Sequence, residues 1–141
     1  MTPSLRSLAI LLAAIAVLAA CVGKANPLAE TDWVLIELGD AGSPDPVVAG
    51  SSADVQFSEN GVGGWTGCNA YSGRYTVRGH HLRLADLEWN EAGCPSDALF
   101  RQEQRIQDSL ATIQRFEVSG GRLTLHSQGG QVLIFDRAGG E

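Results

Sequence analysis

The chain has 141 residues, with 10 basic against 16 acidic side chains and a formal net charge of −6. That length suits a single domain. The acidic balance argues against nucleic-acid binding and against electrostatic seating on anionic lipid.

The start reads as an export signal. Met1 to Ser7 is short and polar with one positive charge, Arg6, and the run from Leu8 to Val17 is apolar. The small residues Ala19 and Ala20 precede Cys21. A charged start, a short apolar stretch and a small-residue cleavage site describe a secretory signal peptide. The run is too short for a spanning helix, which needs about 20 apolar residues. Leu18-Ala19-Ala20-Cys21 resembles the lipobox of bacterial lipoproteins, whose cysteine is acylated and becomes the new N-terminus. Ordinary secretion is the plainer alternative. On the lipobox reading, residues 1–20 are a lipoprotein signal peptide, 21–31 the lipid anchor and tether, and 32–138 the domain. Val22 stands where aspartate usually retains a lipoprotein at the inner membrane, so the outer membrane facing the periplasm is expected in a Gram-negative cell.

Loss of residues 1–20 removes Arg6 and no acid, which leaves 9 basic and 16 acidic residues, a net of −7. Acyl chains on Cys21 are then the expected hold on the membrane, and stable anchoring generally takes more than one chain. With Cys21 assigned to lipid, Cys68 and Cys94 remain in an oxidising compartment, where a disulfide is the default. Closing that loop would stabilise the fold by about 3 to 4 kcal/mol in the chain-entropy model. A reactive thiol at Cys94, just before an expected helix, is the competing reading.

Trp33-Val-Leu-Ile-Glu-Leu is rich in β-formers and reads as the first strand. Residues 39–53 hold Gly, Ser, Pro and Ala without periodicity and read as a loop. Val55 to Glu59 alternates, and Asn60-Gly61 then signals a tight hairpin of type I′. Ala70 to Arg78 gives another strand with Tyr71, Tyr75 and Val77 in one parity. Gly79-His80 turns the chain, and His81 to Leu87 returns. Asp97 to Phe116 reads as a helix, because Leu99, Ile106, Leu110 and Ile113 form one stripe. Ser96 or Asp97 caps its start and Arg115 suits its end. Gly120-Gly121 and Gly129-Gly130 punctuate two last strands, 122–127 and 132–136. Strands, one helix and more strands predict an α+β domain with a mostly antiparallel sheet.

The glycine-rich stretch GWTGCNAYSGRY, residues 64–75, needs its own explanation. Gly61-Val-Gly63-Gly64-Trp65-Thr66-Gly67 lacks the third glycine and the following helix of a dinucleotide loop. His80, His81 and His126 are the only histidines, and a cysteine pair locked in a disulfide cannot supply two metal ligands. No metal and no cofactor is therefore expected. There is no Gly-x-Ser-x-Gly elbow. Asp86, Glu88 and Glu91 cluster, but nothing ties two of them to one cleft, and a solvated edge is the plainer reading. Gly64 and Gly67 instead suit close backbone approach, Asn69 a turn, and Tyr71 and Tyr75 large buried surfaces.

Phe57, Gly61, Gly64, the run Gly67-Cys68-Asn69-x-Tyr71-x-Gly73-x-Tyr75 and Ala92-Gly93-Cys94 resemble the META domain, the family of the heat-shock protein HslJ and related bacterial lipoproteins. The resemblance runs from Trp33 to the strand ending at Phe135. It departs at Asn90, where the family often has threonine, and at Gly93, often alanine. It implies a curved, mostly antiparallel sheet, partly open and barrel-like, wrapped around one α-helix. It implies a structural role for Gly67, Cys68, Asn69, Tyr71, Gly73 and Tyr75, and no catalytic residues. The function expected is a non-enzymatic envelope lipoprotein acting through protein contacts in stress or drug tolerance. The alternative is a small-ligand or peptide-binding module, whose mouth an exposed Trp65 or Trp89 would mark. An enzyme would rest on Asp86, Glu88, Glu91 and the histidines.

Overall fold

The computed structural model describes residues 25–139. Cys21 and the lipobox lie outside them. The described elements are strands β1 (Thr31–Asp40), β2 (Asp45–Pro46), β3 (Asp54–Phe57), β4 (Gly61–Trp65), β5 (Ala70–Arg78) and β6 (His81–Trp89). Helix α1 (Asp97–Ala111) follows, then β7 (Ile113–Ser119), β8 (Arg122–Ser127) and β9 (Gln131–Arg137). Each strand pairs antiparallel with its neighbours.

The expected curved antiparallel sheet is present, and it is a closed ring. β1 joins the two ends of the sheet: Thr31 to Val34 pair with β3 along one edge, while Trp33 to Asp40 pair with β9 along the other. The result is an eight-stranded barrel, with β2 as an extra strand on the far half of β1. Alternation along a strand reveals a buried face but not its partners, so closure was beyond the sequence pattern. Closure removes the exposed edges that an open sheet must protect. The seam between β6 and β7 is the thinnest, with His81 opposite Arg115 as its one register pair.

Inward parity fills the ring. Trp33, Leu35, Val55, Phe57, Tyr71, Tyr75, Leu82, Phe116, Leu123, Leu125, Leu133 and Phe135 are all buried. An eight-stranded barrel is just wide enough for side chains to fill.

Helix α1 crosses the mouth where β1 and β4 end and β5 begins. The Gln102 side chain accepts from the Val48 N–H at 2.7 Å and donates to the Thr66 carbonyl at 2.9 Å. Arg105 donates to the Leu38 carbonyl at 3.0 Å. Ser96 caps the start, its hydroxyl accepting from the Leu99 N–H. The expected helix over 97–116 is too long: it stops at Ala111, and Ile113 and Phe116 belong to β7. Both remain buried, so their apolar spacing fits either element; the cross-strand partners Ser127 and Leu125 decide for the strand. The buried helix face is Gln102, Glu103, Ile106, Ser109 and Leu110, more polar than the aliphatic stripe foresees.

The hairpin at Asn60-Gly61 forms with a different turn. Neither residue has positive φ. The Ser58 hydroxyl instead accepts from the Gly61 N–H at 2.9 Å, and the Ser58 N–H donates to the Gly61 carbonyl. Part of the segment expected as tether also packs on the barrel: Leu28 is fully buried, and Asn26 donates to the Tyr75 hydroxyl at 2.9 Å. Among the described residues no helix is long and apolar enough to cross a membrane.

Candidate functional site

The stretch 64–75 builds a buried polar cluster under α1. A Cβ on Gly64 would lie 2.2 Å from the Asp54 carbonyl oxygen, so the strand pairing there tolerates no side chain. Gly67 has φ +98, which lets the chain turn between β4 and β5. The Thr66 hydroxyl, fully buried, accepts from the N–H groups of Cys68 (3.1 Å) and Asn69 (2.9 Å). It also lies 3.1 Å from Oε1 of Glu103. The Asn69 amide donates to Oε2 of Glu103 at 3.0 Å and to the Ala92 carbonyl at 3.1 Å, and its oxygen accepts from the Ala92 N–H at 2.8 Å. Cys68 is bonded to Cys94, tying this turn to the segment that launches α1. Asn90 takes a polar role beside them, accepting from the Ala70 N–H.

The remaining motif residues are also accounted for. Tyr71 donates to the Asp54 carbonyl at 2.9 Å and stacks on Trp89 at 4.9 Å. Burial, and then the Asp54 charge, push its hydroxyl pKa far up. Gly73 sits at a bulge, where a Cβ would meet the Ala85 carbonyl at 2.8 Å. Tyr75 donates to the Ser58 carbonyl at 2.8 Å and packs edge-on against Phe57.

Glu103 is the member that sequence reading missed. It is 3% exposed, and its Oε2 lies 3.2 Å from Sγ of Cys94. A glutamate on a helix of mixed polar composition looks solvated; only the docking of α1 over the turn at Thr66 reveals its burial. No ion pair to Glu103 occurs among the described residues.

The acidic and histidine candidates are not brought together. Asp86 pairs with Arg74 on the surface, and Glu88 and Glu91 are exposed. Glu88 lines a hollow of about 360 Å³ beside Trp89 and Tyr71, with neither Asp86, Glu91 nor a histidine in its wall. His80 packs near Phe116, while His81 is exposed on β6. His126 lies on β8, 3.5 Å from Glu117; desolvation first, then Arg115, holds its pKa below the ordinary histidine value.

At the opposite mouth, a groove of about 680 Å³ runs between the N-terminal segment and the β6–β7 seam. Asn26, Tyr75, Arg78, His80, Phe116 and Val118 line it. Val118 is 40% exposed there. Its walls come from residues some 90 positions apart (Asn26 to Phe116), so no local pattern announces it.

These features define a small closed barrel with one helical plug, a disulfide under the plug and an open groove at the far mouth. The family model of the META domain matches residues 26–140, and the chain belongs to that family. No curated protein matches the chain. Among solved structures, a protein from Burkholderia xenovorans studied by NMR shares the fold at 24% identity, TM-score 0.69, covering 80% of this chain and 85% of that one. A second NMR structure is similar at 21% identity and TM-score 0.61, covering 79% of this chain and 92% of its own. A DUF4847 family protein from Bacteroides vulgatus shares the fold at 11% identity and TM-score 0.56, covering 82% and 97%.

Proposed function

We propose that this META-domain protein is a non-enzymatic lipoprotein of the cell envelope, anchored by acyl chains on Cys21, that acts through protein contacts in envelope stress or drug tolerance. The observation that supports contacts is the contrast between a barrel interior filled by side chains and apolar surface left outside, at Val118 in the groove. An anchor at Cys21 stands five residues before Asn26, so it would hold the groove within about 18 Å of the bilayer. A membrane-proximal envelope protein is the partner this placement suits.

The test is a photo-reactive amino acid at Val118 or Arg78, with Gln104 on the exposed face of α1 as control. A discrete protein adduct is expected from the groove positions alone. Val118→Asp should lose that adduct and the stress tolerance while keeping its thermal midpoint. Equal adducts from Gln104, or a fully tolerant Val118→Asp strain, would overturn the reading. Labelled palmitate tests the anchor: Cys21→Ser should lose label and membrane pelleting together.

The groove volume also favours one second reading, because ligand sites commonly span about 300 to 1,000 Å³. A small molecule or peptide would use the Tyr75 hydroxyl, Arg78 and His80 as its polar contacts. An envelope extract that raises the thermal midpoint of the wild type but not of Val118→Asp, with no protein adduct, would select it.

A further inference from the structure

We propose that the Cys68–Cys94 disulfide is reversible, and that its reduced form joins Glu103 as a binding site for a thiophilic divalent cation such as zinc. This site lies at the plugged mouth and is independent of the contact role proposed for the groove.

Three separate parts of the chain supply the ligand atoms. Cys68 comes from the turn after β4, Cys94 from the segment before α1, and Glu103 from α1 itself. Both sulfurs and one carboxylate oxygen lie within 4.8 Å of one another. Thiolate and carboxylate are both ligand types that zinc accepts, and three protein ligands leave a fourth position for water.

The burial of Glu103 gives an independent reason for a cation. The carboxylate is almost wholly removed from water, it receives neutral hydrogen bonds from Thr66 and Asn69, and no cationic side chain pairs with it among the described residues. A buried charge of this kind is costly unless paired. Two thiolates and one carboxylate carry three negative charges, which a divalent cation reduces to one. Asn69 and Thr66 then act as outer partners that aim the carboxylate, as partners of metal ligands commonly do.

The sulfurs are placed for both states. Cys94 is half-buried and Cys68 buried, so an incoming reductant meets Cys94 first. The two Cα atoms are 5.2 Å apart. Around a tetrahedral zinc with Zn–S about 2.3 Å, the sulfurs would stand about 3.8 Å apart, a separation that side-chain rotation supplies. The chemistry balances in two steps. A dithiol reductant gives two electrons and two protons to the disulfide, breaking the S–S bond to two thiols while it closes to its own disulfide. The cation then displaces both thiol protons to solvent as two metal–sulfur bonds form.

The test uses the chain from residue 21 onward with Cys21→Ser, so that Cys68 and Cys94 are its only thiols. After reduction by a phosphine, cobalt(II) is titrated in, followed by zinc competition. One cobalt per chain is expected, with thiolate-to-metal charge-transfer absorption and release of two protons. Glu103→Gln should weaken zinc binding by at least about tenfold, while Glu103→Asp keeps the charge-transfer band. If the reduced chain loses structure, added zinc should restore its circular dichroism. The proposal fails if binding is no tighter than in the Cys68→Ser, Cys94→Ser double variant. It fails equally if Glu103→Gln binds as wild type, or if a loosened reduced chain does not refold with zinc.

Discussion

The two mouths of the barrel solve the same problem in opposite ways. At one, α1 covers the opening and its buried polar residues Gln102 and Glu103 bond to Thr66 and Asn69 in a turn locked by a disulfide. At the other, the segment around Leu28 covers only part of the opening, and a groove stays open to solvent beside Tyr75 and Val118. A buried polar network must be satisfied throughout, so the plugged mouth is intolerant of change. The open mouth has water as a partner and can vary its surface. Structure is therefore concentrated at one end and freedom to recognise at the other.

The sharpest way to break this contrast is at the plug. Leu110→Ala removes a 1% exposed side chain from the apolar part of α1 and should cost about 2 to 5 kcal/mol in denaturant unfolding. A loss below about half a kcal/mol would mean that α1 rests on the barrel without holding it. Asn69→Ala should follow at about 1 to 3 kcal/mol, since it strands both Ala92 backbone groups and one hydrogen bond of Glu103. The matching change at the open mouth is Tyr75→Phe, which deletes bonds to Ser58 and Asn26 where water can replace them. About 0.5 to 1.5 kcal/mol is expected there, and a larger loss than for Asn69→Ala would reverse the contrast. Ser96→Ala removes the helix cap and should cost about 1 kcal/mol.

The smallest effect is on pH dependence. His126 is held below the ordinary histidine pKa in the fold, mainly by desolvation. The unfolded chain therefore takes up the proton first as pH falls. Stability should decline as pH drops through the ordinary histidine range and on through the lowered folded value. His126→Gln should flatten that slope in unfolding curves taken between neutral and mildly acidic pH. An unchanged slope would assign it to other groups.

Much of the barrel was legible because alternation survives in single strands. Tyr71 and Tyr75 share a buried parity, and Ser96 caps where a cap is expected. The helix end was misread because Ile113 and Phe116 continue an apolar spacing that a strand can also bury. Gly67, Cys68 and Asn69 stood out through residue type, and their structural role follows from positive φ, a disulfide and buried amide bonds. Glu103 and the groove were hidden for a different reason. Each depends on contacts between distant segments, α1 over the turn at Thr66 in one case and Asn26 beside Phe116 in the other, and no local window contains both sides.

The claim that a disulfide-locked cluster holds the plug independently of the open mouth is best tested by amide hydrogen exchange. The oxidised and reduced chains would be compared in metal-free buffer. Reduction should speed exchange at Cys68, Asn69 and Ala92, whose amides bond to side chains of the cluster, and leave the amides of Tyr75 to Arg78 unchanged. Equal acceleration at both mouths, or none at the cluster, would contradict the account.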